Sequence, residues 1–237
     1  FTYNDPVIFM EYAIDVAKEC KKLDIKTVAV TAGYISEEPR KEFFQYIDAA
    51  NIDLKAFTEE FYFKLTGGHL QPVLDTIEYV KHHTNTWMEL TTLLIPGEND
   101  SDEEVAKLAE WIRDHVGVDV PLHFSAFHPD WKMLDKPPTP PGTLVRAREI
   151  ALEKGLHYVY VGNVHNEAAD STYCHHCHKK VIGRDWYVLS DWNLTDDGKC
   201  RFCATPCAGV FSGPPGTWGA KRLPVRISQF ARSEERR

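Results

Sequence analysis

Hydrophobic positions follow two different spacings along the first 165 residues of the chain. Some segments have an apolar residue every three or four positions, and others have one at every second position. The first spacing is typical of helices that bury one face, and the second of strands. Helices are predicted over 6–23, 70–83 and 143–154, and two more begin at Ser36 and Ser101. Strands are predicted over 27–34, 50–57, 87–97, 122–129 and 157–163, and PPTPPG (137–142) is predicted to be a rigid connector.

Strands and helices that alternate in this way predict an α/β fold with parallel strands and helical crossovers. A complete barrel of eight such units needs about 250 residues. Only about five units precede a cysteine-rich segment here, so we expect a partial (β/α) barrel. The chain also begins with Phe1 in the middle of a strand-to-helix pattern, which predicts an N-terminally truncated fragment.

Composition divides the chain into three predicted parts. Residues 1–165 form the partial barrel, residues 166–212 a small four-cysteine module, and residues 213–237 a Pro/Gly-rich linker with a charged tail. The formal net charge of −8, without a basic block, argues against nucleic-acid and anionic-membrane partners. No apolar run is long enough to span a bilayer. Cysteines paired as C-x-x-C favour metal over disulfides, and we expect a cytoplasmic protein.

Polar residues share one face on three of the predicted strands. They are Asn51, Asp53 and Lys55, then Glu89 and Thr91, then His123 and Ser125, with His128 just beyond a strand end. Thr31 and Gly33 close a further strand and are expected to belong to the same face. Barrel interiors are normally packed with Val, Ile and Leu, and binding sites lie at the carboxyl ends of the strands. We therefore predict a binding site there, because buried charges must be paired or bound to a ligand. A solvent-facing ion pair and a Schiff-base role for Lys55 are the alternatives, and the nearby Asp53 weakens the second.

Six motifs, taken in order, resemble a known family. TYNDP, VTAGY, IDLKAF, ELTTLLIPGEND, HFSAFHPDWKM and YVYVGN are similar to the radical S-adenosylmethionine (SAM) enzymes of the AmmeMemoRadiSam system, relatives of the pyruvate formate-lyase activating enzymes. The resemblance covers residues 1–211 and implies a partial six-unit barrel with a [4Fe–4S] cluster. The reduced cluster would cleave SAM to a 5′-deoxyadenosyl radical, which abstracts hydrogen from a protein or small-molecule substrate. A reductant such as flavodoxin or ferredoxin is implied as a partner.

The resemblance also implies roles for matching residues. Asn4 and Asp5 stand where relatives receive the SAM amino group, with Asp in place of Glu. The remaining residues expected to bind SAM are Thr31, Gly33, Asp53, Lys55, Pro96, Asn99 and His128, to which the polar strand faces add Thr91 and His123. An ammonium and a carboxylate are suited to the SAM carboxylate and ribose, because such hydrogen bonds are charge-assisted.

One family motif is absent from this chain. The C-x-x-x-C-x-x-C loop that would ligate the cluster does not occur in the 237 residues. Cys20 is single and falls on the apolar stripe of the first predicted helix, where a free cysteine behaves as a small hydrophobe. We expect the cluster loop upstream of Phe1 and this chain to be inactive alone.

The cysteine module has the clearest metal-site spacing. Cys174 and Cys177 form one C-x-x-C pair, and Cys200 and Cys203 form another. Four thiolates predict a closed, structural zinc site of the zinc-ribbon type. A rubredoxin-like iron site uses the same ligands and stays an alternative. Cys207 is expected to be a buried or free thiol.

Two further expectations concern the side chains of the module. The histidines beside the first pair, His175, His176 and His178, are expected to face solvent, with a mixed Cys/His metal shell as the alternative. Trp186 and Trp192 are expected in the module core rather than on a protein-contact face.

The function that these patterns favour is that of a radical SAM enzyme of the activating-enzyme type. The alternative is a non-catalytic, degenerate SAM barrel that docks a partner protein through its zinc ribbon.

Overall fold

The computed structural model describes residues 1–216, so the predicted charged tail over 217–237 lies outside the described residues. Five parallel strands form one sheet in the order β1-β2-β3-β4-β5. Neighbouring strands are also neighbours in sequence, with helices between them, as in the wall of a (β/α) barrel. The predicted α/β fold with a partial barrel is therefore confirmed.

The strands of this sheet are β1 Val28–Thr31, β2 Ala49–Asp53, β3 Trp87–Leu94, β4 Leu122–Ala126 and β5 Val159–Gly162. The helices are α1 Met10–Lys22, α2 Glu37–Phe43, α3 Glu59–Phe61, α4 Leu70–His83, α5 Asp102–Trp111, α6 Pro141–Glu153 and α7 Glu167–Asp170. Phe1 exchanges two backbone hydrogen bonds with Val28 and Val30, in the pattern of a parallel bridge beside β1.

The two faces of the sheet differ in burial because side chains alternate along each strand. Burial alternates between partial and complete along both β2 and β3. Ile52, Leu90 and Phe124 lie on the helix-covered face and are fully buried in the main core. The opposite face is only half buried, and it carries the polar residues described below.

Several element ends differ from the sequence prediction. The first helix begins with a separate 3-10 turn, Pro6–Phe9, which the side chain of Asp5 caps. The predicted strands are longer than the observed ones, so Lys55 and Pro96 lie in the loops after β2 and β3. The last two residues of the predicted connector 137–142 belong to a helix, because α6 begins at Pro141. Proline is well suited to a first helical turn.

Two wider helical turns follow α3 and α5. They cover Tyr62–Thr66 and Ile112–Val116, and each ends at a glycine with positive φ, Gly67 and Gly117. The pattern of apolar positions did not predict α3, since a helix of three residues is too short to show a period.

The cysteine module contains a separate antiparallel sheet. Its strands are β6 Thr172–Tyr173, β7 Lys180–Asp185 and β8 Val188–Trp192. The module has its own small core, in which Val181, Ile182 and Leu194 pack with the cysteines. Among residues 1–216, no helix is both long and apolar enough to cross a membrane.

Candidate SAM-binding face and metal centre

The half-buried face of the sheet brings the predicted polar residues into rows. We call this surface the polar face and define it by Asn51, Asp53, Lys55, Glu89, Thr91, His123, Ser125 and Tyr160. Asp53 aligns with Thr91, Thr91 with His123, and His123 with Tyr160, so one row crosses four strands. Asp53 is the last residue of β2, whereas Thr91 and His123 each lie three residues before the ends of β3 and β4.

Asp53 and Lys55 form an ion pair at the end of β2. The Nζ atom of Lys55 donates to Asp53 Oδ2 at 2.8 Å, and the two side chains are 37% and 31% exposed. A Schiff base requires an unpaired and desolvated amine, so this geometry disfavours that role for Lys55. The Lys55 backbone N–H donates to the hydroxyl of Tyr62, and burial raises the pKa of Tyr62 to about 12.

Glu89 and His123 form a second pair on the same face. His123 Nε2 lies 2.7 Å from Glu89 Oε2, and Trp87 Nε1 donates to Glu89 Oε1 at 3.1 Å. Burial acts to raise the pKa of Glu89, but the hydrogen bond and charge of His123 outweigh it and hold that pKa below its usual value. The His123 ring also stacks on Tyr160 with centroids 5.0 Å apart.

Asp5 and Thr31 brace the loop after β1 rather than the polar face. Thr31 aligns with the buried Ile52, so its side chain lies on the helix-covered face, and the expectation that it shares the polar face is wrong. Asp5 accepts hydrogen bonds from Thr31 Oγ1 at 2.8 Å, from the Ala32 N–H at 2.7 Å and from the Val7 N–H at 3.0 Å. These contacts fix the backbone of the β1 end.

Gly33 lies two residues after Thr31 and has a φ of +67°, a backbone conformation that residues with a side chain rarely adopt. A Cβ atom there would lie 2.8 Å from Cγ2 of Ile52. Glycine is therefore required where the chain leaves β1.

Asn99 is a buried brace between two strand ends. Its Oδ1 accepts from the Ile95 N–H at 2.7 Å, and its Nδ2 donates to the carbonyls of Lys55 at 2.6 Å and Leu93 at 2.9 Å. With its amide engaged in this way, Asn99 positions the backbone of Lys55 instead of pointing a free group at a ligand.

The remaining residues expected to bind SAM lie at the rim of the site. Asn4 is exposed, and Pro96 is partly exposed in the loop after β3. His128 lies beyond β4 with its side chain 79% exposed, 3.3 Å from Asp130. The structure thus brings Asp53, Lys55, Thr91 and His123 together and leaves these three at the periphery.

Tyr160 joins the polar face, although it was not among the predicted site residues. It lies on the alternate face of the YVYVG strand, and that alternation was the available signal. Its hydroxyl lies 3.1 Å from Thr172 Oγ1, and the guanidinium of Arg184 lies 5.6 Å from its ring centroid. Both partners belong to the cysteine module, which therefore covers the β5 side of the polar face.

The four predicted cysteine ligands come together in the module. All four sulfurs lie within 4.8 Å of one another, with Cys174–Cys203 at 3.6 Å and Cys177–Cys200 at 3.7 Å. A tetrahedral ion with metal–sulfur bonds of about 2.3 Å separates its ligands by about 3.8 Å. The donor set therefore fits a single tetrahedral metal ion.

The two C-x-x-C turns have the same backbone geometry. The N–H of His178 donates to the Cys174 carbonyl at 2.9 Å, and that of Ala204 to the Cys200 carbonyl at 2.8 Å. His178 and Ala204 each follow the second cysteine of a pair and have φ of 58° and 60°. The repeated turn places each pair of sulfurs on one side.

The other side chains of the module meet the expectations only in part. Cys207 is buried but lies outside the four-sulfur cluster, and burial raises the pKa of its thiol to about 11. His176 and His178 are exposed, while His175 is partly buried and stacks on His157 with centroids 4.3 Å apart. Trp192 packs in the module core, but the core prediction for Trp186 is wrong, since that residue is 48% exposed at the tip of the β7–β8 hairpin.

Comparisons with known proteins agree with this fold. Residues 1–109 match the model of the Radical SAM superfamily. An uncharacterized protein of Methanocaldococcus jannaschii is 38% identical over 204 residues, which cover 86% of this chain and 60% of that protein. The 4-hydroxyphenylacetate decarboxylase activating enzyme of Clostridium scatologenes is 35% identical over 123 residues, which cover 52% of this chain and 39% of that enzyme.

A solved structure supports the fold independently. A domain of pyruvate-formate lyase-activating enzyme from Bacteroides vulgatus superposes with a TM-score of 0.60 at 18% identity, covering 69% of this chain and 97% of that one. The class that fold and site define is thus an α/β protein of the radical SAM type with a four-cysteine metal site near residue 200. Residues 1–109 are thus similar to the Radical SAM superfamily, and activating enzymes are among the curated proteins that the chain resembles. The chain spans 60% and 39% of the length of the two curated relatives described above.

Proposed function

We propose that this chain supplies the SAM-binding face of a radical SAM enzyme of the activating type, acting on a partner protein. The observation that carries the proposal is the row Asp53, Thr91 and His123 on one face of three neighbouring parallel strands, with Lys55 paired to Asp53 just beyond the carboxyl edge of the sheet at β2. Sites of this fold lie at that edge. The order of the six sequence motifs further favours the AmmeMemoRadiSam group.

The donor set of the polar face fits SAM. Lys55 offers an ammonium to the SAM carboxylate, and Asp53 offers acceptors to the ribose hydroxyls. Asn99 and Tyr62 hold the backbone of Lys55 from both sides, so little ordering remains to be done when the ligand binds. When SAM is bound in a radical SAM enzyme, it supplies the 5′-deoxyadenosyl group that abstracts hydrogen.

The residues of this chain do not fit the [4Fe–4S] cluster of the family. The loop C-x-x-x-C-x-x-C does not occur among the 237 residues, and Cys20 lies alone on α1. The module cysteines converge within 4.8 Å, whereas a cluster binds each ligand to a different iron atom and holds them farther apart. The proposal therefore assigns to these residues the binding of SAM and of the substrate, with the electron coming from a reductant such as flavodoxin or ferredoxin.

We further propose that the four-cysteine site holds zinc. Four thiolates around one tetrahedral position leave no open coordination site, which is the arrangement of structural zinc. Such a site stabilises the fold of a module whose own core is small.

The proposal is tested by measuring SAM affinity in the full-length gene product, by equilibrium dialysis with radiolabelled SAM. Lys55→Met and Asp53→Asn are each expected to weaken binding about tenfold or more, since a charge-assisted hydrogen bond contributes about 1.5–3 kcal/mol. Lys107→Met is the matched control, because Lys107 pairs with Glu103 on the exposed side of α5. Equal SAM affinities in the wild type and the polar-face variants would exclude this face as the site.

A second function is favoured by one surface feature, the tip of the β7–β8 hairpin. Trp186, Tyr187, Val188 and Leu189 are 48%, 72%, 54% and 40% exposed there. Exposed apolar patches of this kind often mark protein contacts. A non-catalytic barrel that docks a partner through its zinc ribbon would use this tip. It would also bind no SAM in the dialysis experiment.

A further inference from the structure

A cleft beside the Tyr160 end of the polar face separates the barrel from the cysteine module. Its volume is about 640 Å³, within the range of small-molecule sites. The barrel wall comes from α6 and the start of β5, with Arg148, Leu152 and Tyr158. The module wall includes Tyr173 and His178. A ligand in this cleft would therefore contact both parts of the protein.

The cleft has one permanent cation in its lining, the guanidinium of Arg148. No aspartate or glutamate of residues 1–216 lines the cleft, although Asp119 Oδ1 lies 2.8 Å from Nδ1 of the lining residue His157. Cys174, one of the four cysteines of the metal site, also belongs to the lining. Arg148 is therefore the group in this cleft that attracts an anion.

Arg148 is held in place without a carboxylate partner. Its Nε donates to the Val159 carbonyl at 2.8 Å on the outer edge of β5. Within residues 1–216, no carboxylate forms an ion pair with it, and its two terminal nitrogens form no hydrogen bond. A planar guanidinium fixed by one N–H presents the remaining donors in the geometry that a carboxylate matches.

The rest of the lining is apolar and aromatic. Leu152, Leu156 and the ring of Tyr173 line the cleft together with Tyr158. Such walls bind the hydrophobic body of a ligand while a few polar groups orient it. An aromatic ring that carries one carboxylate combines the two features.

We propose that the cleft between α6 and the first cysteine turn binds a small aromatic carboxylate, whose carboxylate pairs with Arg148. Tyr160 of the polar face also lines the cleft, but Asp53 and Lys55 do not, so benzoate binding can be measured without SAM. Because Tyr173 and His178 belong to the module, occupancy also fastens the module to the barrel.

The test uses benzoate as the probe and benzyl alcohol as its neutral counterpart, in ligand-observed NMR titrations of the zinc-loaded chain. Benzoate is expected to bind at least tenfold more tightly than benzyl alcohol. Arg148→Met should weaken benzoate binding at least tenfold. Arg146→Met, on the same helix but paired with Asp102 at 2.6 Å, should leave it unchanged.

A second variant blocks the cleft without touching Arg148. Ala168 lines the cleft and is exposed, so Ala168→Trp should abolish benzoate binding while zinc content and the thermal midpoint stay at the wild-type value. This variant decides the question if Arg148→Met does not fold. Equal binding of the two probes to the wild type, or benzoate binding that survives Ala168→Trp, would overturn the proposal.

Discussion

Single side chains at the strand ends hold loops in position, and only some of them are free to meet a ligand. Asn99 forms hydrogen bonds with neighbouring backbone groups through its side-chain amide. The carboxylate of Asp5 accepts hydrogen bonds from the Thr31 hydroxyl and the Ala32 N–H. Lys55 and Asp53 are paired with each other but remain about one-third exposed. The sequence motifs therefore combine residues that brace the backbone with residues that remain accessible to a ligand, and the difference becomes visible only in the hydrogen bonds.

Gly33→Ala is expected to destabilise the protein more than Gly97→Ala. Both glycines have positive φ, +67° and +77°, so both variants lose about 1–2 kcal/mol of backbone energy. A Cβ at position 33 would also meet Ile52 at 2.8 Å, whereas position 97 has no atom within 4 Å. That overlap adds about 1–3 kcal/mol to the loss at Gly33. Urea unfolding of the zinc-loaded chain measures the difference, and equal losses would contradict the packing of this loop.

Two partly buried glutamates should respond to acid in opposite directions. The pKa of Glu89 is lowered in the folded protein, so its stabilising contribution is present above pH 4.5, the unfolded value, and is lost as the pH falls through the folded pKa. The pKa of Glu104 is raised, by burial first of all, so protonation there favours the folded state. As the pH is lowered, the free energy of unfolding should therefore fall less steeply in Glu89→Gln than in the wild type. In Glu104→Gln it should fall more steeply.

Urea midpoints between pH 3.5 and 6.5 measure these slopes for the wild type and both variants. Zinc release in acid is common to all three proteins and cancels in the comparison. Identical slopes for the two variants would contradict the Glu89–His123 pair at 2.7 Å.

At the scale of elements, the spacing of apolar residues, every second position in strands and every three or four in helices, was sufficient to predict the five strands and the long helices. It failed where an element is short or where long-range contacts decide. α3 has three residues, and α6 begins at Pro141 inside a segment that reads as a connector. The capping box at Ser101 is half formed, because Ser101 accepts from the Glu104 N–H while the Glu104 carboxylate accepts from the distant Phe57 N–H.

The candidate site was predictable from alternation in β2, β3 and β4, where polar residues interrupt apolar runs. Thr31 was misassigned because one residue of register moves a side chain to the other face. The part played by Tyr160 and Arg184 depends on how the module packs against β5, a contact between distant segments that no local pattern contains.

The metal site is an element in which the prediction can be tested residue by residue. Cys174→Ser and Cys200→Ser should lose the metal, because three thiolates no longer close the tetrahedron. Cys20→Ser and Cys207→Ser should retain about one zinc per chain by elemental analysis. Loss of zinc from Cys207→Ser, or iron in place of zinc in the wild type, would contradict the assignment.

At the scale of the whole molecule, two hydrophobic cores stand side by side. The main core packs the sheet against its helices, and the module core surrounds the cysteines. The contacts between the two parts include the Tyr160–Thr172 hydrogen bond at 3.1 Å and the Ala208 N–H that donates to the Tyr158 hydroxyl at 3.1 Å. The proposed zinc would hold the module together, whereas the barrel has a large core of its own.

Zinc removal should therefore unfold the module and leave the barrel folded. Limited proteolysis in the presence of a strong chelator is expected to accumulate a fragment that ends near residue 166, since a small metal site contributes folding free energy directly. The zinc-loaded chain is the control and should resist cleavage there. Complete digestion of the chelated protein would show that the two parts fold as one unit.

The polar face as the SAM site is tested most directly by hydrogen–deuterium exchange of the full-length gene product, measured by mass spectrometry with and without SAM. Added SAM should slow exchange in the segments after β1, β2 and β3, at residues 31–34, 53–57 and 94–99. Exchange in the cysteine module, residues 172–207, should stay unchanged. Protection confined to the module, or no protection at the strand ends at saturating SAM, would contradict the account.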